Sequence, residues 1–538
     1  MGKIFYNGRI YKGEGAFAEA FSVRDGHFFA VGNNEEALAS MREGDEMVDL
    51  GGAFVCAGFN DSHMHLLNLG QTLSYAPLAE HTGNLSDILG CLRRHLEEHP
   101  VSEGGWLCGR GWNQDYFTDE KRMPDRFDLD SVSRVVPIMI TRACGHCCVL
   151  NSRALELAGI DENTACPEGG RIGFADGKPD GRLFDNAMEL LRGARRDPSV
   201  DELKSMIRLA CEKLNSYGVT SSQTDDYCVF RDVPPEAVNR AYRELEAAGE
   251  LTVRVYEQCN FTDTESLRAF IGSGSVTGKG TPLFRIGPLK LLGDGALGSR
   301  TAFLSEPYKD DPQNRGFTLF TPEEMDSLVA CANENGMQAA IHAIGDSCLD
   351  MVLDAYEKAL LEHPREDHRH GIVHCQVSRA DQLERIARLK LHVYAQSIFL
   401  DYDNHIVEKL LSPALAANSY SWKTLMDKGV SVSNGSDSPV EPPDVMRGAE
   451  CAVTRSSLDG TGPFLPKEAF TVGEALDSFT VRGAEASFEE KAKGLIKTGQ
   501  AADFVILGAD PFVTSPEIIH SIPVKMTYLA GECVFSRE

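Results

Sequence analysis

Residues 199–225 read SVDELKSMIRLACEKLNSYGVTSSQTD. Ser199 followed by Glu202 has the form of a capping box, in which each side chain satisfies a backbone N–H left free at a helix start. Leu203, Met206, Ile207, Ala210, Cys211 and Leu214 then share one face at the 3.6-residue period. Gly218 stops the helix, and residues 219–225 follow as a short strand with a polar end.

The same order of helix, glycine and strand returns downstream. Thr321-Pro-Glu-Glu324 caps a helix whose face is Met325, Leu328, Val329 and Ala332, Gly336 ends it, and residues 337–342 form the strand. Strand candidates in chain order are residues 54–65, 219–225, 251–259, 284–292, 337–342, 371–376, 392–396 and 430–437. Eight such units predict an α/β fold closed as a (β/α)8 TIM barrel, with reactive residues at the C-terminal ends of the strands. His63, His65, Lys290, His342, His374 and Asp437 fall at those ends.

Two regions stand outside this pattern. Residues 1–53 carry the hairpin turn signals Asn7-Gly8 and Asp25-Gly26, and the tail from Ala502 is again short strands, so the two chain ends are expected to pair. About 150 residues separate the first and second barrel strands, far more than the usual connection of roughly 2–6 residues. This long insertion on the βα side is expected to wall or cover the active face.

The 80 acidic and 53 basic side chains leave a formal net charge of −27, spread along the chain. Nucleic acids and anionic membranes are recognised by clustered Lys and Arg, so neither is expected as a partner. The expected partner is a small-molecule substrate, with a homodimer as the base-rate assembly. No apolar run is long enough to span a bilayer and the first residues lack the pattern of a signal peptide, which predicts a cytoplasmic location. The 15 cysteines are odd in number and scattered through apolar segments, as reduced buried thiols are. The cluster Cys144-Gly-His-Cys-Cys148 has no second Cys pair at finger-like spacing and is not read as structural zinc.

The chemistry rests on six residues. His63 and His65, at i and i+2, share one strand face and can reach a single ion. Lys290 lies in the apolar run Gly287-Pro-Leu-Lys-Leu-Leu292, where a bare ammonium is costly. Either it pairs with Asp294 or it is carboxylated to a carbamate. His342 and His374 suit neutral imidazole ligands, and Asp437 can bind a metal or accept a proton. His363, His368 and His370 lie in a polar segment and read as surface.

Gly58-Phe-Asn-Asp-Ser-His-Met-His65, Leu289–Ala302 with Lys290, Ile341-His-Ala-Ile-Gly-Asp346, Val373-His-Cys-Gln376 and Gly435-Ser-Asp-Ser-Pro-Val440 together resemble the metal-dependent amidohydrolase superfamily, and most of all its N-substituted formamide deformylase-like branch. The run from Gly494 to Asp503 and the capped helix from Thr471 are similar to that family's C-terminal pattern. The resemblance implies a distorted barrel over residues 57–487, with the insertion at about 70–200, beside a small β-sandwich made of residues 1–56 and 488–538. It implies one or two divalent metals, usually zinc. His63 and His65 would bind the more buried ion, His342 and His374 the more exposed one, and N6-carboxylated Lys290 would bridge them. Asp437 would touch the first ion and act as general base, then acid, for a metal-activated hydroxide.

Gly109-Arg-Gly-Trp-Asn-Gln114 and Gly145-His146 also resemble this branch's insert, which implies that Trp112 and His146 line the substrate pocket, with His146 donating to the scissile carbonyl. The expected reaction is hydrolysis of an amide, formamide or cyclic amide C–N bond in a small molecule. Deamination of an amine-bearing heterocycle is the nearest alternative. A non-catalytic barrel would have broken ligands, and none of the six is missing.

Overall fold

The computed structural model describes residues 2–81, 83–118, 120–230 and 232–537. They form two compact units, one of residues 1–68 with 210–538 and a second of residues 69–209.

The larger unit is built on eight parallel strands that neighbour one another in chain order: Phe59–Met64, Val219–Thr224, Arg254–Asn260, Phe284–Leu292, Ala339–Ala343, Gly371–His374, His392–Ala395 and Val432–Asn434. The last meets the first through the turn that follows it, where Asp437 N donates to His63 O and His65 N donates to Ser438 O, both at 2.8 Å. The helices between strands begin as their sequences dictate. Thr321 and Glu324 form a reciprocal capping box on Pro322–Glu334, Ser199 and Glu202 do the same ahead of Val200–Ser216, and Gly218 and Gly336 take the left-handed φ that lets the chain turn into the next strand.

The barrel interior is polar in places, and several of its polar groups are paired across elements. Gln223 Nε2 donates to Gly483 O at 2.8 Å and Lys493 Nζ to Ser221 Oγ at 3.0 Å. One expectation needs correction. Residues 54–65 are two strands, not one: Phe54–Ala57 pairs with Phe504–Leu507 outside the barrel, and the barrel strand starts at Phe59. Gly58 is the break, packed so tightly on Thr220 that a Cβ there would lie 2.3–2.9 Å from its side chain.

The chain ends form two small sheets. Lys3–Tyr6, Ala20–Arg24, His27–Gly32 and Glu46–Asp49 make one, and Arg9–Gly13, Ala16–Ala18, Phe54–Ala57, Phe504–Leu507, Val524–Leu529 and Glu532–Ser536 the other. Both contribute to one core. Phe5 stacks on Phe21 at 4.9 Å, and Phe504 stacks on Tyr528 at 4.4 Å. His368 and His370 are buried, contrary to the surface reading: His370 stacks on Tyr356 and its Nε2 lies 3.0 Å from Asn333 Oδ1, while His368 Nε2 meets Leu389 O at 3.0 Å. Their polar sequence context hides partners that come from distant helices.

The second unit has its own six-stranded mixed sheet, including Leu107–Trp112, Ile138–Arg142 and Cys147–Leu150, and the helix Leu85–Glu98. Its core gathers Leu78, Ile88, Leu92, Trp112, Leu129 and Ile140. Among the described residues, no helix is long and apolar enough to cross a membrane.

Candidate active site

His63 is the next-to-last residue of the first barrel strand, and the alternation of side chains sends His63 and His65 to the same side. Both imidazoles converge on Asp437, whose Oδ1 lies 3.4 Å from His63 Nε2 and 3.2 Å from His65 Nε2. The three side chains could hold a single ion. Asp437 sits in a left-handed turn after the eighth strand, and Asp61 clamps that turn by accepting from Ser436 N at 3.0 Å and from Ser436 Oγ. A one-residue shift of this turn would take the carboxylate out of reach.

The ring orientations are set from behind. His63 Nδ1 donates to Gln258 Oε1 at 2.7 Å, and Gln258 Nε2 in turn donates to Ser62 O at 3.2 Å, which fixes the amide so that its oxygen faces the ring. His374 repeats the arrangement with Gln396 Oε1 at 2.7 Å, Gln396 Nε2 donating to Tyr394 O at 2.9 Å. His65 Nδ1 donates to Asp225 O at 3.1 Å. In each case the proton is held on Nδ1 and Nε2 is left with its lone pair, as a metal ligand requires.

The charge states of His63, His374 and Asp437 agree with this donor set. Burial first, then the nearby Lys290 ammonium, holds His63 well below the usual histidine range, and burial with the adjacent His342 does the same to His374. Burial would raise the Asp437 carboxyl, but the imidazoles of His65, His63 and His374 outweigh it and hold the group ionised far below the usual range. His65 is the exception: burial works against its proton, yet Asp437 and Cys228 raise that imidazole well above its ordinary value, so an ion binding at Nε2 displaces a proton. Asp437 Oδ1 is buried and makes no hydrogen bond. An ionised, buried oxygen without a hydrogen-bond partner, facing two imidazole nitrogens, fits a divalent cation.

The other expected ligands lie close by. The His374 ring is 5.7 Å from that of His63 and 4.4 Å from that of His342. His342 Nε2 faces Gly295 O at 3.2 Å and Asp294 Oδ1 at 3.3 Å. Lys290 does not pair with Asp294, which is occupied in accepting from Phe303 N, Ile344 N and Gly345 N at 2.8–3.0 Å. Its partner is Asp225, with Nζ 3.6 Å from Oδ2 and both side chains almost wholly buried. The sequence reading passed over Asp225, although it follows the second barrel strand at the position where ligands were sought. Gln258 and Gln396 were also missed.

The two insert residues are in the second unit. Trp112 has no exposed surface and packs in that unit's core, which gives the ring a structural role there. His146 is exposed and pairs with Asp185, Nδ1 to Oδ1 at 3.1 Å.

Residues 46–535 match the model of the Amidohydrolase family. A protein named amidohydrolase YtcJ from Bacillus subtilis (strain 168) is 33% identical over 100% of both chains. The N-substituted formamide deformylase of Arthrobacter pascens is 27% identical, covering 99% of this chain and 97% of that one. Among solved structures, an uncharacterized metal-dependent hydrolase from Pyrococcus horikoshii OT3 is 29% identical, with a TM-score of 0.78 over 96% of this chain and 99% of that chain.

Proposed function

This chain belongs to the amidohydrolase family, whose members are metal-dependent hydrolases acting on carbon–nitrogen bonds, and from that premise we propose that it hydrolyses an amide, formamide or cyclic amide of a small molecule with the help of zinc. The observation that carries the reading is the unpartnered Asp437 Oδ1 facing the Nε2 atoms of His63 and His65. These three residues would hold the ion.

A bound divalent cation lowers the pKa of water toward 7 and polarises a carbonyl, contributing several kcal/mol to the transition state. The protein's own part is to keep the donors in place. Gln258 and the Asp225 carbonyl fix the ring faces, so that no proton has to move between ring nitrogens before an ion binds. Asp437, ionised at neutral pH, takes the proton of the attacking water on its carboxylate and passes it to the departing nitrogen. His374, held below the usual histidine range by burial and by His342, stands beside Asp437. A one-ion site is the reading that the contacts support, because Lys290 is satisfied by Asp225 and His342 by Gly295 O and Asp294.

The test is elemental analysis of the purified protein beside a screen of N-substituted formamides, amides and cyclic amides. One zinc per chain with amide cleavage is the expected result. Two equivalents that fall when Lys290 is changed to Ala are the signature of the carbamate-bridged pair. Ammonia release from an amino-heterocycle would replace this reading with deamination, and a metal-replete protein without zinc or turnover would end it. The relationship to N-substituted formamide deformylase is the reason to begin the screen with formamides.

A further inference from the structure

Cys228 lies beside this site, just beyond the second barrel strand. Its Sγ is 3.5 Å from Asp225 Oδ1, and one donor atom from each of His65, Asp225 and Cys228 lies within 4.8 Å of the other two. Around a tetrahedral zinc with bonds of about 2.0–2.3 Å, neighbouring donors stand roughly 3.3–3.8 Å apart. The sulfur and the carboxylate oxygen already have that spacing. Lys290 Nζ at 3.6 Å and Asn260 Nδ2 at 3.3 Å both engage Asp225 Oδ2, which leaves Oδ1 to the thiol. Asp225 is fully buried whereas Cys228 is exposed, so an ion can reach the cluster from solvent and find a fixed carboxylate at its base.

We propose that His65, Asp225 and Cys228 form a second cation position, selective for a thiophilic divalent ion such as zinc, which competes for His65 with the position made by His63, His65 and Asp437. Thiolate beside imidazole and carboxylate favours zinc over magnesium or calcium, which take oxygen ligands. As the metal–sulfur bond forms, the thiol proton leaves to solvent. The competition follows from the ring of His65. Its Nδ1 meets the Asp225 carbonyl, so an ion bound through Nε2 beside Cys228 would use the same nitrogen that faces Asp437. An ion drawn onto Cys228 therefore takes His65 away from Asp437. The inference rests on reading the Asp437 cluster as a metal site.

The test uses the full-length metal-free protein and cobalt(II), with bound cobalt counted by elemental analysis. The expected spectrum has a near-ultraviolet thiolate-to-cobalt charge-transfer band that Cys228→Ser abolishes and Cys144→Ser retains. Zinc should also slow iodoacetamide labelling of Cys228 in the unaltered protein by about tenfold or more, because a coordinated thiolate is a poor nucleophile. Bound cobalt with the same spectrum in Cys228→Ser as in the unaltered protein, or labelling indifferent to zinc, overturns the Cys228 position while leaving the Asp437 site standing. A chain that binds no cobalt overturns both.

Discussion

His63 and Gln258 are 195 residues apart in sequence and 2.7 Å apart in space, Nδ1 to Oε1, on the first and third barrel strands. The bond selects the histidine tautomer, so a residue remote from any ion governs how well one binds. Gln258→Leu should weaken zinc binding by about 10–100-fold with the fold intact, and Gln258→Glu, which keeps an acceptor, should retain most of it. Competition against a chromogenic chelator measures both. Equal affinities for Leu and the unaltered protein would show that the tautomer is set elsewhere.

Asp437→Asn keeps the shape of the side chain but removes its charge. Turnover should fall by at least about 10²–10⁴-fold, the usual worth of a positioned base, and zinc content should fall with it because the same group faces His63 and His65. Turnover and zinc are measured on one preparation. Full turnover would remove Asp437 from the chemistry.

The barrel was legible because helix caps, glycine stops and apolar strands recur in fixed order, and the cluster of His63, His65 and Asp437 because HxH and strand-end residues are local signals. Gln258 and Gln396 were not legible as site residues, since each acts through a partner on another strand, whereas Asp225 stood at a strand end and was passed over. The first strand was drawn too long because the apolar run continues through Gly58, and only its contact with Thr220 reveals the break. His370 looked exposed because its neighbours are charged, whereas Tyr356 and Asn333 bury it from other elements.

Buried histidines away from the site set an acid limit on stability. Burial, then Arg369 and Arg482, brings His392 down to about 3, and burial holds His368 and His370 below the usual range as well. Unfolding returns these imidazoles to about 6.5, so below that pH the unfolded chain binds more protons and stability falls as pH falls. Above pH 6.5 the contribution is fully present. His392 alone should cost about 1 kcal/mol between pH 7.5 and 5.5. Urea midpoints at the two pH values measure it, and His392→Gln should flatten the slope. An unchanged slope in that variant would assign the acid limb to other groups.

Trp112 and His146, read together as pocket residues, should part company under mutation. Trp112 is fully enclosed among Leu78, Ile88 and Ile140, so Trp112→Ala opens a large cavity and should cost about 3–5 kcal/mol of stability. His146 makes one exposed ion pair, with Asp185, and its loss should cost less than about 1 kcal/mol. His146→Ala is therefore the clean probe of the insert: its fold and zinc content should match the unaltered protein, so a loss of turnover would give this imidazole a part in the reaction. Thermal unfolding, zinc content and kcat on the same variant separate the cases. A His146→Ala protein with unchanged kcat removes this imidazole from the reaction, and one that fails to fold shows that it holds the hairpin it sits on.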